Sequence, residues 1–448
     1  MNLFTFKNNL KILIYFSSLL IIVVLGIVVS YSFNKDSKVN FLDINPIILK
    51  INKVDNYVAD SFYFSEGQCS KDESLIFKAV DGVFDNKLNS IFAICDYKKI
   101  KYFKNNNKKI IDSSIYLFKL GTKDFGNLRY LKIPSSTIDK NSSIMQDENN
   151  LYILGTKINK KDSNQTIPLN LFVVKINKKN FEFDKDFGNN GVSIINSESF
   201  SSFSQLNGNL ILNNSKESVF FITFEPVFHF IELNKLNGNL INSIKNIPNK
   251  DNFYFEKYNL FLDKNSNLII VGAIKNSNNQ NIQNGQFFIA KMDFNNGKLI
   301  ETFILNSVDS ENNRFNFVKS CLFGNKTYIA FNNNSKNKSS PSLIVFDLDT
   351  HNTNCYIFKD NNLNFLINDI KYYDDYLFLA GGVLNYGYIK FNINNPNDSS
   401  YFVYDYNDDP VIVYGSIFDG KHLFLLGGKV NNKAGQISDA IIYKIKNP

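Results

Sequence analysis

The feature that most constrains the fold of this chain is a five-residue apolar segment that occurs seven times and ends in glycine in four of its copies. Consecutive copies begin 46 to 68 residues apart. Apolar runs of this length, bounded by Asn, Asp and Gly, are typical of β-strands and not of helices. We name this segment the glycine-ended strand, and its copies are residues 91–95, 151–155, 219–223, 268–272, 327–331, 377–381 and 423–427.

A second apolar strand follows each copy and carries one charge. Its copies are residues 115–120, 171–176, 228–233, 287–292, 343–348, 386–391 and 440–445. Their fifth residues are Lys119, Lys175, Glu232, Lys291, Asp347, Lys390 and Lys444. A strand buried on both faces can carry a charge only where it reaches water, so this position predicts a solvated rim on every repeat. The alternative is a ring of charges that binds a ligand.

Each repeat also contains two further strands. An apolar stretch and a tight polar turn precede the glycine-ended strand, as at residues 144–147, 260–263, 370–374 and 417–420. The turns Asn237-Gly238 and Asn296-Gly297 lead from the charged strand into residues 239–244 and 298–305. Asn, Asp and Gly support hairpin geometry, so each repeat should be four antiparallel strands.

Seven four-stranded units without helical periodicity indicate radial repetition, with a linear solenoid as the alternative. The last repeat reaches Pro448 directly after its charged strand, whereas residues 39–64 supply a spare strand. Pairing these two ends would remove two exposed strand edges. We therefore expect an all-β fold, a seven-bladed β-propeller of four-stranded antiparallel blades at residues 71–448. Residues 35–70 should form a linker and the strand that closes the last blade.

The connection between the two repeating strands varies most in length. Polar inserts occupy it at residues 157–166, 275–286 and 332–342. Because the same connection absorbs each length change, the inserts should emerge on one face of the domain, where loops are the expected binding elements.

The amino terminus contains a long uncharged segment between Lys11 and Lys35, and residues 12–33 are apolar apart from four serines. About 20 apolar residues span a bilayer, whereas a cleaved signal has an apolar region of about 7–15. We expect residues 1–34 to form a cytoplasmic stub and one signal-anchor transmembrane helix, with the remainder extracytoplasmic. The Ser30-Tyr31-Ser32 sequence leaves cleavage and secretion as the alternative.

The charge of the chain is modest and dispersed. The net charge of +7 follows from 49 basic and 42 acidic residues, without the concentrated basic stripe of nucleic-acid-binding proteins. The densest basic stretch is residues 97–109, which we interpret as a solvated loop or edge. A patch that contacts anionic lipid or polysaccharide is the alternative for this stretch.

One segment resembles a known repeat family. Residues 183–192, FDKDFGNNGV, follow a charged strand and resemble the delta-60 repeat, a propeller-forming bacterial repeat, and Asp124-Phe125-Gly126 is a fainter copy. The resemblance implies propeller architecture and a surface or periplasmic location. It implies no catalytic residues.

Candidate chemical groups are few. His229, His351 and His422 lie in different repeats without metal-ligand spacing. The Asp184, Asp186, Gly188 spacing resembles the start of a calcium loop, but Ile195 stands where an EF-hand needs Glu, so a turn is expected. Residues that could act as acids in a glycosidase channel are Asp374, Asp375, Asp408, Asp409 and Asp419.

The four cysteines leave one bridge open. Cys321 and Cys355 should lie in the first and fourth strands of one repeat, about three strand spacings apart, which is too far for a disulfide. Cys69 and Cys95 are less constrained and could pair in an exported protein.

These inferences lead to an expected membrane-tethered, extracytoplasmic, monomeric propeller that binds a protein or polysaccharide without catalysis. No catalytic, cofactor-binding or metal-binding residues are assigned, and no nucleic-acid partner is expected. The alternatives are an extracytoplasmic carbohydrate-active enzyme with its site at the central channel, and a structural surface protein. Converging carboxylates in the channel would favour the enzyme.

Overall fold

A computed structural model describes residues 38–44, 46–54, 58–65, 73–103, 108–134, 136–137, 143–157, 170–195, 210–213, 217–224, 228–247, 253–276, 286–294, 299–307, 314–335, 338–360, 366–404, 411–431, 436–446 and 448. The expected signal anchor, residues 1–34, lies outside these ranges. Within them, none of the helical structure is long and apolar enough for a membrane span.

The strands form seven blades, preceded by four strands near the amino terminus. The four leading strands are β1 (Lys38–Ile44), β2 (Pro46–Lys50), β3 (Asn52–Lys53) and β4 (Val58–Phe64). Blade 1 contains β5 (Glu73–Asp85), β6 (Ser90–Tyr102), β7 (Lys108–Gly121) and β8 (Arg129–Pro134). Blade 2 contains β9 (Ser136–Thr137), β10 (Ile144–Gln146), β11 (Asn150–Lys157), β12 (Asn170–Asn177), β13 (Glu182–Phe183) and β14 (Val192–Ile195). Blade 3 contains β15 (Ile211–Asn213), β16 (Ser218–Phe224), β17 (Phe228–Asn234) and β18 (Leu240–Ile247).

The remaining blades follow the same order. Blade 4 contains β19 (Phe253–Leu262), β20 (Asn267–Asn276), β21 (Gln286–Asp293) and β22 (Leu299–Ser307). Blade 5 contains β23 (Arg314–Phe323), β24 (Lys326–Ser335), β25 (Lys338–Asp347) and β26 (Thr353–Lys359). Blade 6 contains β27 (Ile367–Tyr373), β28 (Tyr376–Asn392), a 3-10 turn (Pro396–Asp398) and β29 (Ser400–Tyr404). Blade 7 contains β30 (Val411–Phe418), β31 (His422–Asn431) and β32 (Gln436–Lys446).

The predicted seven-bladed propeller of four-stranded antiparallel blades is confirmed. Every glycine-ended strand lies in the second strand of a blade, and blade 6 bends one long strand, β28, to serve as its second and third strands. The first strands contact one another in sequence around the ring, and β30 of blade 7 contacts β5 of blade 1. The ring is therefore closed.

The core lies between the blades, because each blade is apolar on both faces. In β6, Ile91, Ala93 and Cys95 pack against blade 7, whereas Phe92 and Ile94 pack against blade 2. Alternate residues of a strand point to opposite faces, so one apolar run serves two neighbouring layers.

The leading strands do more than the expected closure. β4 pairs with β32 and supplies the fourth strand of blade 7. β1, β2 and β3 instead add an outer parallel strand to blades 4, 5 and 6. Residues 38–53 therefore run as a strap around the outside of three blades, where they pair with backbone groups that a four-stranded blade leaves open.

The expected insert of repeat five is also different in the structure. Residues 332–335 and 338–342 extend the hairpin of β24 and β25 instead of forming a loop. Most of the other two inserts, residues 157–166 and 275–286, lies outside the described ranges.

Candidate functional site

In the six blades where the structure describes it, the first strand carries a polar or small residue at one fixed place, opposite the fourth residue of the glycine-ended strand. We name this place the axial position. Its residues are Asp81, Ser143, Asn259, Lys319, Asp369 and Gly415 in blades 1, 2, 4, 5, 6 and 7. A β-bulge directly precedes it in blades 1, 5, 6 and 7. Bulges bend the strand and re-aim side chains, which brings these groups towards the axis.

Axial side chains bind neighbouring blades to one another at four of the junctions. Four of them accept a hydrogen bond from the backbone N–H that follows the axial position of the neighbouring blade. These bonds join Ile144 N to Asp81 Oδ2 (3.3 Å), Leu210 N to Ser143 Oγ (2.8 Å), Ser320 N to Asn259 Oδ1 (2.7 Å) and Ser416 N to Asp369 Oδ2 (2.7 Å). A first strand has one edge without a sheet neighbour, so these side chains satisfy part of its backbone.

Four charged residues meet in the channel, and we name them the axial cluster: Asp81, Lys319, Asp369 and Lys371. Lys319 Nζ lies 2.7 Å from Asp369 Oδ1 and 3.9 Å from Asp81 Oδ1. Lys371 Nζ lies 3.4 Å from Asp81 Oδ1. Asp81 belongs to blade 1, and neither blade 5 nor blade 6 is its neighbour, so these contacts cross the channel.

The charge state of Asp369 follows from its surroundings. Burial alone would raise the pKa of this carboxyl, but the ammonium groups of Lys319 and Lys371 and the hydrogen bond from Ser416 hold the pKa below its ordinary value. Burial likewise opposes the charge of Lys319, yet Asp369 and Asp81 raise its pKa. Asp369 is therefore ionised and Lys319 is protonated.

A cavity of about 310 Å³ opens beside this cluster at the end of the channel where first and second strands are joined. Its lining comes from blades 1, 2, 6 and 7 and includes Lys371, Tyr373, Ser416, Phe418 and Gln146. A concave site with apolar walls and a few polar groups is the usual form of a small-ligand site, and this volume lies at the lower end of the common range of about 300–1,000 Å³.

The axial cluster was not identified from the sequence, although a signal exists. In blades 2, 5, 6 and 7 the axial residue stands eight positions before the glycine-ended strand. Lys319 and Asp369 are charges inside first strands at that offset. The offset is ten in blade 1, so the relation of Asp81 to the other charges is visible only in the fold.

The predicted solvated rim is wrong for the charged position of the third strand. Lys175, Glu232 and Lys444 are buried. Lysines of blades 1, 6 and 7 donate to backbone carbonyls of the next blade, in or beside the segment after its third strand. These bonds join Lys119 Nζ to Lys178 O (3.1 Å), Lys390 Nζ to Pro448 O (2.9 Å) and Lys444 Nζ to Thr122 O (2.6 Å). Carbonyl acceptors replace water, so buried ammonium groups are tolerated here.

The register expected for repeat five is wrong by two residues. Asp347 pairs with Lys326 and begins a turn, where its carboxylate accepts hydrogen bonds from the backbone of Asp349 and Thr350. Val345, opposite Tyr328, occupies the position that carries a charge in the other blades. A shift of two residues preserves the strand faces, so the apolar pattern does not reveal it.

Among the described residues, the proposed channel acids do not form a catalytic pair. Asp419 lines the cavity, but its carboxylate accepts hydrogen bonds from the backbone of Lys421 and His422 and contacts His422 Nδ1 at 2.9 Å. This is the turn-capping role that Asp147 and Asp263 have in blades 2 and 4. The Asp374-Asp375 pair lies in the turn between β27 and β28, and residues 408–409 lie outside the described ranges.

The other histidines occupy separate places. His351 packs on the ring of Phe303, with centroids 4.5 Å apart, and the side chain of His229 in β17 lies outside what the structure describes. Across the described residues, no three His, Cys, Asp or Glu side chains are grouped as a metal site.

The segment that resembles the delta-60 repeat joins blades 2 and 3. Lys175 Nζ lies 2.8 Å from Asp184 Oδ2, and Phe187 is buried among residues of both blades. The backbone N–H of Gly188 donates to Asn237 O at 2.8 Å. This segment forms the expected turn, and its aspartate binds a lysine.

The basic stretch at residues 97–109 begins and ends in the long hairpin of β6 and β7. Tyr97 is buried, and Lys98 and Lys99 pair with Asp96 and Glu73. The described part is therefore strand, and β6 pairs with β5 on one side and with β7 on the other, so the expected solvated loop or edge is wrong for it.

Cys95 is a buried free thiol whose pKa is raised by burial. The suggested bridge from Cys69 to Cys95 is therefore not formed in this structure, and Cys69 lies outside the described ranges. Cys321 and Cys355 occupy the first and fourth strands of blade 5, as expected.

Comparisons with known proteins give only distant similarities. No protein-family model matches the chain. No curated protein matches it. A solved structure of a protein of unknown function from Dyadobacter fermentans is 7% identical with a TM-score of 0.43, covering 88% of this chain and 99% of its own. The β-propeller domain of the Trilobed protease from Pyrococcus furiosus is 9% identical with a TM-score of 0.41, covering 83% of this chain and 96% of its own. A polysaccharide lyase is 9% identical with a TM-score of 0.46, covering 84% of this chain and 99% of its own. Such similarities indicate no ligand or activity.

Proposed function

We propose that this protein is a non-catalytic binding scaffold, a propeller tethered on the extracytoplasmic side of a membrane that recognises a protein or a polysaccharide. The observation that carries the proposal is the cavity beside the axial cluster. The two carboxylates of this cluster already serve ammonium groups and backbone N–H donors. With its pKa lowered, Asp369 has no proton to give as a general acid.

The tether is supported by the apolar residues 12–33, whose length suits a bilayer span. The first strand of the structure, β1, begins at Lys38, five residues after this segment.

One experiment tests both parts of the proposal. Membranes from cells that produce the full chain are washed with alkaline carbonate and then incubated with a panel of polysaccharides and with solubilised surface proteins. We expect the protein to stay in the membrane pellet and to retain a ligand without shortening it. Release of the protein into the wash would contradict the tether, and a panel without any retained ligand would contradict the scaffold.

The second candidate is a carbohydrate-active enzyme with its site at the channel. The observation in its favour is that Asp81 and Asp369 converge on one ammonium group, that of Lys319. Glycoside cleavage uses two carboxyl groups about 5–9.5 Å apart, of which one must be protonated. Shorter saccharides in the panel experiment would favour this candidate over the scaffold.

A further inference from the structure

We propose that the cavity beside the axial cluster binds a saccharide unit that carries an anionic group, and that Lys371 holds this group. The inference rests on the proposed binding function and adds the ligand class and the residue that selects it.

Lys371 is the member of the axial cluster that lines the cavity. Its side chain is 30% exposed, whereas those of Asp81 and Asp369 are 7% and 0% exposed. An anion that enters the cavity therefore meets the side chain of Lys371 and not the buried carboxylates.

Lys371 is less tightly held than Lys319. Lys319 Nζ has a carboxylate oxygen of Asp369 at 2.7 Å, whereas the carboxylate oxygen beside Lys371 Nζ, from Asp81, lies at 3.4 Å. Asp81 also serves Lys319 and the backbone of Ile144. An ammonium group has three donors, so Lys371 can bind an anion and keep its contact with Asp81.

The carboxylate that lines the same cavity does not cancel this attraction. Asp419 has a side chain only 6% exposed, and its two oxygens are occupied by backbone N–H groups of its own turn and by His422. These donors offset part of its charge.

The other walls suit a sugar ring. Tyr373 is 41% exposed and packs edge-on against Phe418, with ring centroids 4.4 Å apart. An aromatic face covers the apolar side of a ring, while Gln146 and Asn86 in the lining provide amide groups for hydroxyls. A volume of about 310 Å³ limits the occupant to a small unit, such as the end of a chain.

The test compares matched ligands on the full-length protein by isothermal titration calorimetry. The probes are tetragalacturonate, its fully methyl-esterified counterpart, and a sulfated maltotetraose. We expect the anionic probes to bind and the methyl ester to bind at least about tenfold more weakly, since a charge-assisted hydrogen bond is lost. If only tetragalacturonate binds, the recognised anion is a carboxylate. If only the sulfated probe binds, the recognised anion is a sulfate.

The variant Lys371→Met should weaken binding of the anionic probe by about 10- to 100-fold. Lys421→Met is the matched control, because Lys421 is exposed in the adjacent turn and does not line the cavity. The affinity of this variant for the anionic probe should stay within about twofold of that of the unchanged protein. Should Lys371→Met fail to fold, Tyr373→Ala tests the same cavity without touching a charge and should weaken all saccharide probes.

Equal binding of tetragalacturonate and its methyl ester, or unchanged affinity in Lys371→Met, would overturn the inference. A protein that retains a partner in the membrane panel but binds none of these probes would overturn it while leaving the scaffold proposal intact. Shortened probes after incubation would instead refute the scaffold.

Discussion

Buried charges at the axis are tolerated because each carboxylate has several donors. Asp369 forms an ion pair with Lys319 and accepts hydrogen bonds from both the backbone N–H and the hydroxyl of Ser416. Desolvation of a charge costs several kcal/mol, and paired charges recover this only with good geometry and further hydrogen bonds. Removing a single partner should therefore be more harmful than removing the pair.

The variant Lys319→Met tests this reasoning. It leaves the fully buried carboxylate of Asp369 without its ammonium partner at 2.7 Å. We expect the free energy of unfolding, measured by urea denaturation, to fall by about 3–5 kcal/mol.

The matched control is the double variant Lys319→Met, Asp369→Asn, whose amide oxygen can still accept from the backbone of Ser416. It should be more stable than Lys319→Met alone. The single variant Asp369→Asn completes the comparison. If the double variant loses as much free energy of unfolding as the two single variants lose together, the pair is not coupled.

At the scale of the element, two of the recurrent glycines lie inside the second strand where another backbone passes closely. A Cβ atom on Gly381 would lie 1.8 Å from the carbonyl oxygen of Leu366, and one on Gly427 would lie 2.5 Å from that of Ile412. At these two positions the glycine permits the close approach of the first strand beside its bulge, whereas a Cβ atom on Gly155 would instead meet the ring of Phe172 at 2.5 Å.

The variant Gly381→Ala should lower the free energy of unfolding by about 3 kcal/mol, since β27 and β28 must separate to admit the methyl group. Gly324→Ala is the comparison, because Gly324 has φ +58° and no atom within 4 Å of the added Cβ. It should cost only about 1 kcal/mol of backbone strain. Equal losses in denaturant titrations of the two variants would contradict steric crowding at Gly381.

At the scale of the whole molecule, stability depends on closing a ring of sheets. β4 gives blade 7 its outer strand, and Phe64 of β4 packs against Phe77 and Phe118 of blade 1. The strap, residues 38–53, adds to blades that already have four strands. Closure by β4 should therefore contribute more to the stability of the fold than the strap does.

Two truncated chains separate these contributions. A chain that starts at residue 58 lacks the strap but keeps β4, whereas one that starts at residue 66 lacks both. We expect the first to melt moderately below the full chain as a monomer. The second should melt far lower and self-associate in size-exclusion chromatography, because the edge of β32 is then open. Similar melting temperatures for the two chains would rule out the importance of β4.

Particular residues show how far the sequence reaches. The apolar run at residues 91–95 predicted a strand correctly, because that pattern is local. Asp347 was assigned to the wrong position, since a two-residue shift leaves the apolar faces unchanged. Lys444 was expected in water, but the carbonyl of Thr122 that receives it lies in another blade, more than 300 positions away in the chain.

The sequence by itself determined the repeat, the strands and the number of blades, because each of these is written in short stretches of residues whose faces must be buried. Only the tertiary structure decided the axial cluster and the path of the strap. Asp81, Lys319 and Lys371 meet because closing the ring brings blades 1, 5 and 6 to one axis. Residues 38–53 pair with edges that exist only after the blades have formed.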